Sequence, residues 1–323
     1  MTLNNKMKAV FMTAYGDANC LEIREIKKPV IDDNEILVKV IASSVNPVDW
    51  KVRRGDVKFI TGSKLPRQLG ADYSGVVENT GKHVKNFNRG DEVFGMINAF
   101  NGNTYSEFIR VRENQIAIKP DNLNFIEAAT MPLVGLTIYQ LFFQITNLPD
   151  EAKVLINGCS GGLGHIAVQI AKNLNFHVTG VCSAKNASYA KSIGVDCIID
   201  YNKENILAKK NTYDLFFDAV ANTSFKEAKH TLKSNGEYVS SIPSFQNLVL
   251  APIFNLILRK KNKKLWVKPD AENLRSLSTL IENKIVKPTI EKVYPIEDII
   301  NAHRHSETGT VVGKIALTIR EVN

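Results

Sequence analysis

Cysteine is scarce in this chain and poorly spaced for cross-linking. Cys20, Cys159, Cys182 and Cys197 are scattered over 323 residues with no CxxC pair. That argues against a zinc knuckle and against a disulfide framework, and sets the expectation of a reducing, cytoplasmic location. Long apolar runs are missing too: none reaches the roughly 18–20 residues that span a bilayer. The most apolar stretch, LVLAPIFNLIL at 248–258, is shorter and reads as a buried helix or a dimer contact. The N-terminal MTLNNKMKAVFMTAYG has neither a long apolar h-region nor a cleavage-site pattern, so no secretory signal is expected. There is no low-complexity segment and no internal repeat.

Acidic charge is in deficit, with 33 Asp and Glu against 41 Lys and Arg and a formal net charge of +8. A basic balance raises the question of nucleic acid. The only dense basic run, RKKNKK from Arg259 to Lys264, lacks interleaved aromatics, although Trp266 follows. It reads as a solvated surface segment, and no nucleic-acid partner is expected. A general positive field also suits a polyanionic cofactor.

The length allows two domains and a large core. Residues 1–120 are strand-rich: ILVKVIASSVN (36–46) has β-branched content, and YSGVVENTG and DEVFGMI are short apolar runs broken by Gly and Asn. This texture predicts a partly closed β-barrel with long loops. It changes near residue 122, where NFIEAATMPLVGLTIYQLFFQ has helical spacing interrupted by Pro132 and Gly135. From Lys153 short apolar strands alternate with helical stretches at 162–175, 186–193 and 223–233. Such alternation predicts a doubly wound parallel sheet, an α/β fold. A helix at 270–283, the linker KIVKPTIEKVYPIED, another helix and a last strand, GKIALTI, complete the chain.

One loop carries chemistry. Gly158-Cys-Ser160-Gly161-Gly162-Leu163-Gly164 lies between an apolar strand and an amphipathic helix, with a second strand, HVTGVC, beyond. Glycines let the backbone approach a pyrophosphate without Cβ clash, and the helix start offers free N–H donors. The order strand, loop, helix, strand is that of a Rossmann dinucleotide unit. In NAD-binding units an Asp or Glu about 20 residues on binds the ribose 2′-hydroxyl. That carboxylate is missing: the chain reads Cys182-Ser183-Ala184-Lys185-Asn186. A hydroxyl, an ammonium and an amide suit a 2′-phosphate, which a carboxylate would repel. The expected cofactor is NADPH, held by Ser160, Gly161, Gly162, Leu163 and Gly164 in the loop and by Ser183, Lys185 and Asn186 after the second strand. Tyr201, after the third strand, is a candidate to stack near the adenine. Ala219, Val220 and Ile242 follow later strands, at the carboxyl ends where such sheets bind ligands.

With these motifs, SSVNPVDWKVRRG (43–55), LGADYSGVV with GDEVFG (69–95), AATMPLVGLTIYQ (128–140) and GTVVGKIAL (309–317), the chain resembles the medium-chain dehydrogenase/reductase superfamily over almost its whole length. The first and third motifs resemble the zinc-independent NADPH:quinone oxidoreductase branch, which includes alkenal and enone reductases. The resemblance implies a GroES-like domain from residues 1–122 plus 269–323, with a Rossmann NADPH-binding domain, 123–268, inserted. It implies that nicotinamide and substrate lie in the cleft between the two, and a homodimer.

Zinc ligands are also lacking. The resemblance places the first near Asn46–Asp49, where there is no Cys, and the second in a Gly-His-Glu motif that here reads Gly70-Ala71-Asp72. Residues 96–112 contain no Cys, so the four-cysteine structural lobe is absent. Without a Lewis acid, hydride transfer to an electrophilic quinone or conjugated carbonyl is easier than alcohol oxidation. Asn46 and Asp49 match the family's Asn-x-x-Asp beside the nicotinamide; Asn46 is assigned to hydrogen bonding near ribose or substrate oxygen, Asp49 to ordering its neighbours or to an Asx turn. Lys51 is the nearest proton donor in sequence, and Trp50 lines the pocket or packs in the core. Thr137 matches a Thr near the nicotinamide phosphate. His165 reads as a helix-start residue facing solvent or phosphate. His303 and His305, two apart on a helix, face opposite ways and do not read as a metal pair. Expected substrates are quinones, enones or enals. A 2-enoyl thioester reductase and a non-catalytic NADPH-binding sensor protein are the alternatives.

Overall fold

The computed structural model describes residues 5–242 and 259–320, so the apolar run at 248–258 lies outside the described residues. Strands β1 (Lys6–Met12), β2 (Leu21–Lys27), β3 (Glu35–Val45), β4 (Arg67–Gln68), β5 (Asp72–Thr80), β6 (Glu92–Met96), β7 (Phe108–Arg112) and β8 (Ile116–Ile118) come first. β9 (Lys153–Asn157), β10 (His177–Cys182), β11 (Cys197–Asp200), β12 (Tyr213–Asp218), β13 (Leu232–Ser240) and β14 (Lys261–Lys263) follow, then β15 (Ile290–Pro295) and β16 (Lys314–Thr318). The chain forms two compact units: Met1–Leu136 with Lys268–Asn283 and Ile290–Asn323, and Thr137–Val267 with Lys284–Thr289. No helix among the described residues is long and apolar enough to cross a membrane.

The first unit is built on β3. Its alternate residues Ile36, Val38 and Val40 enter the main core, while Leu37 packs with Met7 and Phe108, and Ile41 with Phe125 and Ala129. Side chains of a strand point alternately to its two faces, so covering both faces requires the near-continuous apolar run seen here. The sheet runs β15-β16-β3-β5-β6-β8, with β7 also paired to β3, and stays open between β15 and β8; β2-β1-β4 form a smaller sheet. The linker at 284–298 contains a strand not expected there: β15 pairs in parallel with β16. Gly135 does not break the helix Pro132–Gln140. A Cβ there would lie 2.3 Å from Leu277 Cδ2, so this glycine is where two helices approach closely.

The second unit is a six-stranded parallel sheet ordered β11-β10-β9-β12-β13-β14. This is the doubly wound order, reversing direction at β9. Helix Gly162–Asn173 buries Ile166, Ala167, Ile170 and Ala171, the spacing of one helical face. Two expectations need correction. The helix expected over 223–233 is confined to Phe225–Ala228, because Thr231 N–H and Oγ1 both donate to Ala228 O and β13 begins at Leu232. The basic run is not a loose surface segment: it supplies β14, where Asn262 is buried and Lys263 pairs with Glu237 at 3.3 Å.

Candidate functional site

Within the first unit, six polar side chains lie together with almost no solvent exposure: Ser44, Asn46, Asp49, Asp72, Tyr105 and Lys314. Asn46 sits before helix Pro47–Arg54, whose proline at the first position suits the fixed φ of a helix start. Asp72 is the first residue of β5, and Lys314 the first of β16. Asp72 Oδ2 accepts from Ser44 Oγ at 2.7 Å and from Asn46 Nδ2 at 2.8 Å, and Oδ1 accepts from Leu133 N–H at 2.7 Å. Lys314 Nζ donates to Asn46 Oδ1 and stands 3.7 Å from Asp72 Oδ2. The Asn46 amide is therefore held at both ends, its oxygen by an ammonium and one N–H by a carboxylate.

Asp49 Oδ2 accepts from Asn46 N–H and from Tyr105 Oη, both at 2.8 Å, while its Oδ1 is buried without a partner. Burial raises its carboxyl to about 7, against those two hydrogen bonds. The negative charge of Asp72 raises it further and Lys314 lowers it. Burial also pushes the Lys314 ammonium down, while Asp72 and Asp49 push it back up. With Asp49 protonated, the cluster holds one carboxylate and one ammonium, so neither buried charge is left without its counterion.

Lys51 does not join this cluster. It lies roughly 200° round the helix from Asp49, its ammonium 5.4 Å from the Trp50 ring centre. Burial lowers its pKa. Trp50 Nε1 donates to Ser306 Oγ at 3.1 Å. Sequence reasoning missed Lys314, the buried ammonium, along with Ser44, Asp72 and Tyr105 as members of this cluster. His303 is fully buried edge-on to Tyr105, and burial drops its pKa to about 3; His305 instead bonds Tyr294 and Glu291.

In the second unit the glycine loop follows β9 and leads into helix Gly162–Asn173, whose first turn carries no acidic residue. A Cβ on Gly164 would lie 2.0 Å from Gly158 O, so the loop closes on itself only with glycine there. Gly161 is different: a Cβ there would meet only Gly158 O, at an ordinary contact distance of 3.5 Å, so a small side chain fits. A glycine backbone, free helix N–H groups and no carboxylate fit a pyrophosphate. Ser160 is buried and its Oγ accepts from Asn186 Nδ2 at 3.1 Å, so the loop and the turn after β10 are joined. Gly162 and Leu163 are half-buried, as is Ser183, and Lys185 is exposed. Cys182 is turned inward, and a hydrogen bond with its thiol raises the pKa of the Cys159 thiol.

A carboxylate does stand nearby. Asp200 pairs in register with Cys182, but its Oδ1 accepts from Asn202 N–H at 3.1 Å and Asn202 Nδ2 at 3.2 Å, within its own turn. Tyr201, Val220 and Ile242 are exposed apolar side chains, each just past the carboxyl end of β11, β12 or β13. Ala219 N–H donates to Asn157 O at 3.2 Å. Asp218 fixes this region: it accepts from Asn157 Nδ2 and Ala221 N–H, each at 2.9 Å, and from Thr223 N–H at 2.8 Å. Thr137 is buried in its helix. His165 corrects the expectation of an outward-facing residue. It is fully buried, with Nδ1 donating to Gly161 O at 3.0 Å and Nε2 accepting Thr289 N–H at 3.4 Å, so it braces the loop from behind.

Two protein families match the chain: the alcohol dehydrogenase GroES-like domain at residues 32–121 and zinc-binding dehydrogenase at 193–317. Among the described residues, no group of three or more His, Cys, Asp or Glu is placed to hold a metal ion. The chloroplast envelope quinone oxidoreductase homolog of Arabidopsis thaliana is 31% identical over 96% of this chain and 97% of that protein. The chloroplastic NADPH-dependent alkenal/one oxidoreductase of the same plant is 30% identical over 98% of this chain and 80% of that protein. The solved quinone oxidoreductase of Coxiella burnetii superposes with a TM-score of 0.90 at 29% identity, covering 98% of this chain and 100% of that one. The chain belongs to the medium-chain dehydrogenase/reductase superfamily, in the branch of the quinone oxidoreductases and alkenal/one reductases.

Proposed function

We propose that this protein is an NADPH-dependent oxidoreductase that reduces quinones or α,β-unsaturated carbonyls without zinc. The observation that carries the reading is the pair of relatives, each matched over nearly the whole of this chain, named for quinone and alkenal/one chemistry. The metal-free reading is supported by the positions that the resemblance gives to zinc ligands: there is no Cys over Asn46–Asp49, and the His of the Gly-His-Glu motif is replaced by Ala71.

When bound, the reduced nicotinamide supplies hydride to a carbon of the acceptor. The chain's part is to bind, orient and balance charge. Ser160, Gly161, Gly162, Leu163 and Gly164 are assigned to the pyrophosphate, through backbone N–H groups and the positive helix end. Ser183, Lys185 and Asn186 are assigned to the 2′-phosphate, and this choice of NADPH over NADH rests on the exposed ammonium of Lys185. Tyr201 is assigned to the adenine, and Thr137, Ala219, Val220 and Ile242 to the nicotinamide half. Asn46 is assigned to a substrate or ribose oxygen. With its amide oxygen taken by Lys314 and one N–H by Asp72, its second N–H has a set direction, the kind of preorganised donor that stabilises charge developing on oxygen. Asp49 orders Asn46 through its backbone N–H. A homodimer in a reducing, cytoplasmic setting completes the proposal; the four cysteines are free.

The test is NADPH consumption by the purified protein with an ortho-quinone and, in parallel, a short conjugated enone, each repeated with NADH. Turnover with NADPH well above NADH is expected. Tight NADPH binding with no turnover of either acceptor, or of an enoyl thioester, overturns the catalytic reading in favour of a sensor. Stoichiometric zinc by elemental analysis overturns the metal-free one.

A further inference from the structure

His177 opens β10 and Cys197 opens the neighbouring β11, at the amino end of the parallel sheet. Cys197 Sγ lies 3.7 Å from His177 Nε2, within hydrogen-bond reach for sulfur. On the other side of the ring, His177 Nδ1 lies 3.6 Å from Asp196 Oδ2, so the carboxylate stands beside the imidazole. Asp196 is held firmly: Lys172 Nζ reaches its two oxygens at 2.9 and 2.8 Å, and Val178 N–H donates to Oδ2 at 2.7 Å. Cys197 is exposed and the His177 side chain is half-exposed, so small molecules reach both. Thiol, imidazole and carboxylate stand in the order in which a base activates a nucleophile and a third group orients the base.

We propose that Cys197, with His177 as its base and Asp196 behind the imidazole, is a reactive thiol site that takes conjugated carbon electrophiles. The thiol proton passes to His177 Nε2. The sulfur pair forms the S–C bond at the β-carbon of the electrophile, the C=C pair moves toward the carbonyl, and the imidazolium returns the proton to the α-carbon. The sum is addition of S–H across C=C, and no oxidant or reductant is consumed. The site is separate from the glycine loop. That loop follows the carboxyl end of β9, while the thiol stands at the opposite end of a sheet whose six-residue β10 spans roughly 17 Å. The adduct should therefore leave the cofactor loop undisturbed.

The experiment exposes the full chain at pH 7, without cofactor, to limiting N-ethylmaleimide and quantifies labelling at each cysteine by peptide mass mapping. Cys197 is expected to react at least tenfold faster than a short unstructured peptide of residues 194–201, and at least fivefold faster than in His177→Gln. A rate no greater than the peptide's, or unchanged in His177→Gln, overturns the proposal. The peptide comparison needs only the unmodified protein, so it stands if the variant fails to fold. NADPH affinity of the singly labelled protein, followed by cofactor fluorescence, should stay within twofold of the unlabelled protein. A larger loss overturns the separation of the two sites. Because labelling is read without cofactor, failure of the NADPH reading and failure of this one are distinguishable.

Discussion

Lys314 Nζ stands 3.7 Å from Asp72 Oδ2, with both side chains almost wholly out of water. Removing one member of such a pair leaves a buried charge without its counterion, at a cost of about 3–5 kcal/mol. Lys314→Met should therefore lower stability by that order in urea unfolding. Adding Asp72→Asn should restore part of it, because the stranded charge is gone. Additive losses in the double variant would mean that the pair is not coupled.

Asp49 makes stability depend on pH. Its carboxyl is raised from an ordinary 3.8 to about 7, burial being the largest cause. The folded chain therefore holds this proton more tightly than the unfolded one. The resulting stabilisation is complete below about pH 4 and is lost as pH rises through about 7. Relative to Asp49→Asn, which cannot ionise, the unmodified protein should lose roughly 4 kcal/mol across that window at most. The measurement is the difference between the two urea-unfolding curves as a function of pH. A flat difference would remove the raised carboxyl.

Gly164 and Gly161 make a paired test of the loop. A Cβ at Gly164 meets backbone, Gly158 O at 2.0 Å and Cys159 Cα at 2.7 Å, so the loop must shift. Gly164→Ala should cost about 1–3 kcal/mol of stability, the scale of overpacking, and weaken NADPH binding more than tenfold. Gly161→Ala has room and a negative φ, so it should fold normally. If it still weakens NADPH binding, the added methyl at Gly161 lies where the pyrophosphate approaches. Unchanged binding in both variants would take the cofactor off this loop.

What could be read in the sequence follows the distance over which each feature is assembled. The glycine loop between β9 and its helix was legible because strand, glycines, helix and second strand are consecutive, and each local preference agrees with the others. The Asn46 cluster was only half legible. Asn46 and Asp49 share one helix start, but Asp72 lies 26 residues from Asn46 and Lys314 lies 268 away, brought in by sheet pairing. His165 was misplaced for the same reason, since Thr289, which covers it, is 124 residues distant. The short helix Phe225–Ala228 failed differently. Its sequence has helix formers, but pairing of β13 with β12 claims the chain from Leu232, and tertiary pairing outweighs helix propensity.

Lys185 is the residue on which the proposed preference for NADPH is tested. It is exposed in the turn after β10, beside Asn186, which bonds Ser160 of the glycine loop. Against it stands Asp200, in register with Cys182 and tied to Asn202. If Lys185 holds a 2′-phosphate, Lys185→Glu removes a charge-assisted bond and adds a like charge. Together these are worth roughly 3 kcal/mol, about a hundredfold in affinity. NADH lacks that phosphate and should bind the variant nearly as before. The measurement is a pair of fluorescence titrations, NADPH and NADH, on both proteins. Equal loss for the two cofactors would give Lys185 a general electrostatic role. It would also leave Asp200, freed from Asn202, as the group to test next for a bond to a ribose 2′-hydroxyl.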